Sequence, residues 1–329
     1  MNNAVILGTG AYVPSRVIPN AWFNEQLGED VDTWLRTNVE IYERRWCEEH
    51  ESTADLCEKA AKMALTNAGI SAKELSMVIV ATDTPEYISP STAAVVQYRI
   101  GAENAGSFDL NTACAGFVAA FDTASKFIQA DKRHQHILVI GAYAMSKYLD
   151  MLDKKTVTLF ADGAGAVVLK AVPNTERGTK VSIQRTKGEY HDWMGIYGGG
   201  TRFPLSQLAI ANKDHLLRFV KKFPKELNPT MWTDMAKQMC EEAGISVQDV
   251  SLFVLTQINV HAIRETLSLL NVPIERAITN MHYFGYTGSA AIPMALHRAI
   301  EEKKIEKGQW IMMIGSGGGL AFAGTLLTY

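Results

Sequence analysis

The sequence repeats itself at a spacing of 175 residues. The segment AKMALTNAGISAKELS (61–76) matches AKQMCEEAGISVQDVS (236–251) at seven of sixteen positions. At the same spacing, the run that begins at Cys114 (CAGFVAAF) aligns with the run that begins at Ser289 (SAAIPMAL). Amphipathic segments can resemble each other by chance, but two separate matches at one offset favour a duplicated unit.

Each copy predicts a helix that ends at glycine, then a short acidic turn and an apolar strand. Strand-like runs recur along the chain as MVIVATD (77–83), HILVIGAY (136–143), LFVLTQ (252–257) and WIMMIGSGGG (310–319). Helical patterns occupy 53–70, 114–128 and 289–305. This alternation predicts an α/β fold with a mostly parallel sheet, built from two halves at 1–173 and 174–329. Two fused halves place a crevice where the carboxyl ends of their strands meet, and Cys114 would face it.

Composition excludes several classes of function. A net charge of −3 with 32 basic residues in 329 gives no field for nucleic acid and no polybasic membrane anchor. The longest apolar runs are too short to span a bilayer, and the first residues (MNNAVILGTGAYV) predict a core strand rather than a signal peptide. The four cysteines show no CxxC pair or metal-like cluster. We therefore expect a cytoplasmic protein without a metal site.

Five motifs follow one another over nearly the full length of the chain. They are DTWLRT (32–37), NTACAGF (111–117), FADGAGAVVL (160–169), GYTGSAAIP (285–293) and GSGGG (315–319). In this order and spacing they resemble β-ketoacyl-acyl-carrier-protein synthase III, a family of thiolase-fold condensing enzymes. The resemblance implies a thiolase-like fold, in which two duplicated αβ halves form a layered α-β-α-β-α architecture.

The resemblance also implies a covalent mechanism. Cys114 matches the cysteine that takes the acyl group as a thioester at the amino end of a helix, where the helix dipole supports a thiolate. Gly318 matches the glycine that joins the Cys114 amide in the oxyanion hole. The substrates implied are acyl-carrier-protein or coenzyme A thioesters, with no further cofactor.

The second half departs from the family's pattern at two polar positions. The family's His-Gln-Ala-Asn run reads Thr256-Gln257-Ile258-Asn259 here, and the family's asparagine, thirty residues on, is Tyr286. We expect both hydroxyls to donate to an oxyanion, and Gln257 and Asn259 to border the substrate. Neither hydroxyl is a base near neutral pH, so acylation of Cys114 is better supported than decarboxylation of a malonyl thioester.

The coenzyme A region departs as well. Trp34 matches a tryptophan that stacks on the adenine, whereas the family's arginines align with Asn38 and Tyr42. Lys154 keeps one basic position. Without arginine contacts to the phosphates, we expect coenzyme A to bind weakly. The expected acyl donor is therefore an acyl-carrier-protein thioester.

The loop TDTPEYISPS (82–91) corresponds to the family's loop that crosses the dimer interface. In a homodimer, Tyr87 and Ile88 would cap the neighbour's acyl tunnel. His261 corresponds to a basic position that faces the carrier protein, and the remaining histidines lie in polar or turn segments.

The preferred function is therefore a synthase III-like condensing enzyme that forms acyl-Cys114 and passes the acyl group to a carbon nucleophile such as a malonyl thioester. Two alternatives remain open. One is an acyltransferase to oxygen, nitrogen or a preactivated carbon, which needs no decarboxylation. The other is a catalytically impaired partner subunit of a heteromeric synthase, in which Cys114 is an inert core cysteine.

Overall fold

A computed structural model describes residues 2–329. The strands are β1 (Asn2–Tyr12), β2 (Arg16–Pro19), β3 (Glu43–Trp46), β4 (Met77–Ala81), β5 (Gly106–Leu110), β6 (His136–Ala144), β7 (Asp162–Pro173), β8 (Gly178–Thr186), β9 (Met194–Gly195), β10 (Arg218–Phe219), β11 (Val250–Leu255), β12 (Trp310–Gly317) and β13 (Ala321–Thr328). The helices are α1 (Asn20–Leu27), α2 (Asp32–Asn38), α3 (Thr53–Ala68), α4 (Thr92–Arg99), α5 (Gly116–Ala130), α6 (Lys154–Val157), α7 (Gln207–Ala211), α8 (Leu227–Ala243), α9 (Val260–Leu269), α10 (Met281–Phe284) and α11 (Ala291–Glu301).

Two large sheets contain most of the strands. The first has the order β1-β7-β6-β4-β5, and the second has the order β11-β12-β13-β8. Among the strands of residues 2–329, only β4–β5, β4–β6 and β11–β12 pair in parallel, so the prediction of a mostly parallel sheet is wrong. The connection from β12 to β13 is too short for a crossover and allows only an antiparallel pair. The first sheet uses strands from 2–173 and the second uses strands from 178–328; the division into two domains stays a prediction.

Helices α5 and α11 form a layer between the sheets. Helix α5 contacts β4 and β6 of the first sheet and β12 and β13 of the second, while α11 contacts β1, β7 and β11. The first turns of α5 (116–121) are buried on every side, which is why this stretch carries only apolar residues and glycine. Helix α3 covers the outer face of the first sheet, and α8 that of the second. The result is the layered α-β-α-β-α architecture of the thiolase-like fold. Within 2–329, no helix is both long and apolar enough to cross a membrane.

The repeated segments fold alike. Helix α3 ends at Gly69 with φ 66°, and α8 ends at Gly244 with φ 69°, a left-handed conformation that glycine adopts without a Cβ penalty. Each glycine is followed by a short 3-10 turn that a serine caps, Ser71 in the first copy and Ser246 in the second. Strands β4 and β11 come next. The predicted order of helix, turn and strand is confirmed in both copies.

The two halves meet at backbone contacts that leave no room for a side chain. A Cβ added to Gly141 on β6 would lie 2.2 Å from the carbonyl oxygen of Ser289, just before α11. A Cβ added to Gly315 on β12 would lie 2.9 Å from the Cα of Ala115, just before α5. Each sheet therefore holds the amino end of the other half's central helix.

We predict that Gly141→Ala destabilises the fold by about 3 kcal/mol or more, because the new methyl group meets a buried main-chain carbonyl that cannot move aside. Urea unfolding followed by circular dichroism measures the loss. The matched control is Gly188→Ala, where a Cβ meets nothing within 4 Å and should leave stability within about 0.5 kcal/mol of wild type. Wild-type stability for Gly141→Ala would contradict the contact.

Candidate active site

Cys114 lies in the turn between β5 and α5. The Asn111 side chain accepts a hydrogen bond from the amide of Ala113 at 2.9 Å, and Ala113 has φ 47°. A left-handed conformation costs a non-glycine residue about 1 kcal/mol, and here it turns the chain so that Cys114 follows directly. The helix begins at Gly116 rather than at Cys114, so the cysteine precedes the first turn. Cys114 is buried, with only 3% of its surface exposed.

Strand β12 lies against the Cys114 backbone. A Cβ at Gly317 would come within 2.5 Å of the Cys114 amide nitrogen, whereas a Cβ at Gly318 would meet the carbonyl oxygen of Met194 at 3.4 Å. Gly317 is therefore the residue whose missing side chain permits this approach. The oxyanion role of Gly318 stays a prediction.

Tyr286 reaches Cys114 from the second half of the chain. Its amide donates to Leu159 O at 2.9 Å, and its carbonyl accepts from the amide of Ala161 at 2.9 Å. The ring packs on Phe160 with centroids 5.5 Å apart. The side chain is fully enclosed, and its hydroxyl makes a hydrogen bond with the Cys114 thiol.

Tyr143, on β6, gives the thiol a second hydroxyl partner. Its ring fills the space over Gly288, where an added Cβ would lie 2.5 Å from Cε2. The sequence analysis missed this tyrosine, because it lies inside an apolar strand run and has the pattern of a core residue.

The pKa of the Cys114 thiol is raised far above its ordinary value. Burial is the largest cause, and the charge of Asp83 adds to it; the hydrogen bonds from Tyr286 and Tyr143 lower the pKa by less. The thiol is therefore protonated at neutral pH, contrary to the expectation of a helix-supported thiolate. Burial also raises the pKa of Tyr286 well above its usual range, so its hydroxyl keeps its proton and remains a donor.

Asp83 is the carboxylate of this cluster. It follows β4 at the carboxyl end of the first sheet, and its charge acts on Cys114, Tyr143 and Tyr286. Its Oδ1 atom is buried and has no hydrogen-bond partner within residues 2–329, although part of the residue remains accessible. Burial raises the Asp83 pKa to about 6. The sequence analysis placed it in the 82–91 loop without assigning it a role; an acid directly after a buried strand at this edge was the available signal.

The second-half polar residues are held by the backbone around them. The Thr256 hydroxyl, 2% exposed as a residue, accepts from the amide of Ser316 at 2.7 Å and donates to its carbonyl at 3.4 Å. The Gln257 side chain donates to Ile278 O at 2.8 Å. Asn259 caps α9 by accepting from the amide of His261. Their substrate-binding roles stay predictions.

The predicted coenzyme A residues lie on the surface. Trp34 on α2 is 53% exposed, and the Asn38 amide donates to Trp34 O at 3.0 Å. Lys154 forms an ion pair with Glu29 at 2.9 Å. The predicted donor region therefore presents an exposed tryptophan and a lysine that is held in a surface ion pair.

The remaining candidates stand apart from Cys114. Tyr87 and Ile88 are exposed in the single chain. His261 is exposed, and His282 contacts Glu40 O and Thr279.

Comparison with known proteins gives one family. Residues 108–188 match the model "3-Oxoacyl-[acyl-carrier-protein (ACP)] synthase III", and 240–329 match the model of its C-terminal part. The chain is 34% identical over 324 residues to β-ketoacyl-[acyl-carrier-protein] synthase III of Syntrophomonas wolfei, covering 98% of this chain and 97% of that protein. It is 36% identical to the Aquifex aeolicus protein of the same name, covering 98% and 99%.

The folds agree as well. The crystal structure of 3-oxoacyl-[acyl-carrier-protein] synthase III from Aquifex aeolicus superimposes with a TM-score of 0.89 at 33% identity, over 99% of this chain and all of that chain. Sequence and fold thus agree over the whole length. The chain belongs to the β-ketoacyl-acyl-carrier-protein synthase III family, whose members are acyltransferase condensing enzymes of fatty-acid biosynthesis.

Proposed function

We propose that this chain takes an acyl group from a thioester donor onto Cys114 and transfers it to a carbon nucleophile such as a malonyl thioester. The observation that carries the proposal is the enclosed Cys114 thiol at the amino end of α5, with the hydroxyls of Tyr286 and Tyr143 as its partners. A thiol of this kind can form a thioester, and hydroxyls beside it can bind the acyl oxygen.

Thr256 and Tyr286 take the places of the family's histidine and asparagine in this proposal. Tyr286 supports an oxyanion donor role because its hydroxyl is protonated and fixed by packing. Thr256 is the weaker donor, because its hydroxyl is already held by Ser316. The amides of Cys114 and Gly318 complete the oxyanion site. Condensation then proceeds, but malonyl decarboxylation is slow because no imidazole stabilises the carbanion.

A second candidate is acyl transfer without decarboxylation, to oxygen, nitrogen or a preactivated carbon. The hydrogen bonds between Thr256 and Ser316 favour this second candidate. Because they occupy the Thr256 hydroxyl, Tyr286 is left as the main side-chain donor for the enolate that decarboxylation would form. Both candidates begin with the same acyl-Cys114 intermediate. They differ only in the acceptor.

Acyl carrier protein is the proposed macromolecular donor, with no cofactor beyond the thioesters themselves. Two cations of the predicted coenzyme A region are paired: Lys154 with Glu29, and Arg36 with Asp32 at 2.8 Å. Coenzyme A phosphates would have to displace these carboxylates. A cytoplasmic homodimer, with Tyr87 and Ile88 of one chain capping the acyl tunnel of the other, completes the proposal.

Cys114→Ala should abolish the thioester-linked adduct, because Cys114 is the cysteine with two hydroxyl partners at a helix start. Intact-protein mass spectrometry after incubation with acyl-carrier-protein thioesters measures this. The matched control is Cys240→Ala, another buried cysteine, which should acylate like wild type. An acyl adduct on Cys114→Ala would show that the nucleophile is elsewhere.

Thr256→His combined with Tyr286→Asn should raise malonyl decarboxylation about 10- to 100-fold while changing Cys114 acylation little, because the pair restores stronger oxyanion donors. Release of carbon dioxide from malonyl-acyl carrier protein gives the rate. Tyr286→Phe is the control and should slow both steps. If wild type already decarboxylates briskly and the double variant loses activity, then Thr256 and Tyr286 are an adapted pair and not weakened substitutes.

Acyl-carrier-protein thioesters should acylate Cys114 faster than the matching coenzyme A thioesters. Asn38→Arg should raise kcat/KM for the coenzyme A donor about tenfold, since one charge-assisted hydrogen bond to phosphate contributes about 1.5–3 kcal/mol. Asn38→Gln lengthens the side chain without adding charge and should have no such effect. Equal rates with both donors in wild type would contradict the preference.

A further inference from the structure

Acylation of Cys114 needs a group that takes the thiol proton. Burial holds that proton on sulfur, and the two tyrosine hydroxyls beside it are themselves protonated donors. The Asp83 carboxylate, which follows β4, differs from these three groups because it is ionised at neutral pH and can accept a proton.

Asp83 is placed to act on this cluster. A Cβ on Gly116, in the first turn of α5, would lie 3.2 Å from the Cβ of Ala81, so the end of β4 packs against the start of that helix. Asp83 follows two residues later. After burial, the Asp83 charge is the largest cause of the raised pKa values of Tyr143 and Cys114. The buried Oδ1 of Asp83 makes no hydrogen bond within the described chain. A buried carboxylate oxygen without a partner is costly to keep and is free to receive a proton.

We propose that Asp83 is the proton acceptor and donor for the acylation of Cys114, an inference that rests on the proposed function of this site. As the sulfur attacks the donor's carbonyl carbon, the thiol proton passes through one bridging water to the Asp83 carboxylate and a new S–C bond forms. The bond between that carbon and the donor's sulfur breaks. The departing thiolate takes the proton from Asp83, which restores the carboxylate and releases the donor as a free thiol.

The groups that face Asp83 agree with this role. Cys114 lies before α5, Tyr143 and Tyr148 on and just after β6, and Tyr286 before α11. None of them carries a positive charge. The charge of Glu86 acts on Tyr148 and that of Asp162 acts on Tyr143, so the other charges felt by these tyrosines are also negative. The Asp83 pKa, raised to about 6 by burial, leaves the base ionised at neutral pH and makes its acid form strong enough to protonate a thiolate.

The test is single-turnover acylation of Cys114 by an acyl-carrier-protein thioester, measured across pH. In wild type the rate should rise with a midpoint near pH 6 and then level off, as Asp83 loses its proton. Asp83→Asn should acylate about 100-fold more slowly at neutral pH, the usual scale for a lost proton acceptor. It should also lose the midpoint, and its rate should keep rising in alkaline buffer as the thiol ionises.

Folding controls separate this role from a structural one. A raised pKa means that the folded state favours protonated Asp83, so its charge costs stability above the folded pKa and Asp83→Asn should melt no lower than wild type at neutral pH. Asp83→Glu keeps a carboxylate and should retain a pH midpoint with a smaller loss of rate. Asp234→Asn, an exposed acid on α8, should match wild type.

Each outcome decides a different point. The role of Asp83 alone is overturned if wild type forms acyl-Cys114 and Asp83→Asn forms it at the same rate. It is also overturned if the pH midpoint of the acylation rate persists in Asp83→Asn. Failure of wild type to form acyl-Cys114 overturns the proposed function and this inference with it. If Asp83→Asn does not fold, loss of the pH midpoint in folded Asp83→Glu overturns the proposal, and its retention supports it.

Discussion

The reciprocal contact between the two halves determines where the chemistry can occur. Gly141 meets the backbone before α11, and Gly315 meets the backbone before α5, at distances where a single methyl group would clash. Because main chain packs on main chain, the starting point of each helix is set with little freedom for the side chains around it. The packing of main chain on main chain therefore fixes the position of Cys114. The hydroxyls of Tyr286 and Tyr143 act on a thiol that is already held in place.

The two copies of the turn have diverged within the same backbone conformation. Ala113 has φ 47°, and its counterpart Gly288 has φ 49°. The first copy accepts the strain of a side chain and continues with Cys114. The second must have glycine, because the ring of Tyr143 fills the place of a Cβ. One copy therefore provides the nucleophile and the other provides Tyr286, the hydroxyl that faces it.

Sequence patterns predicted most of this framework but only part of the site. The repeat predicts α3, β4, α8 and β11, and it aligns the two central helices, because local periodicity and glycine caps determine these elements. Strand direction was not predictable in the same way, since pairing depends on contacts between distant segments. Tyr143 and Asp83 were missed for a related reason. One is hidden in an apolar run and the other in a loop, and only the fold brings both to Cys114.

The negative charge of Asp83 governs the chemistry of the cluster that it forms with Cys114, Tyr143 and Tyr286. Burial is the main reason that the pKa of the Cys114 thiol is raised, and repulsion between a thiolate and the Asp83 carboxylate adds to it. Two interacting acids of this kind favour a single negative charge between them. Under the proposed mechanism that charge rests on Asp83 before and after acylation, and sulfur gives up its proton only as the thioester forms. The hydroxyls of Tyr286 and Tyr143 are then released from the sulfur, and the acyl oxygen becomes the acceptor closest to them.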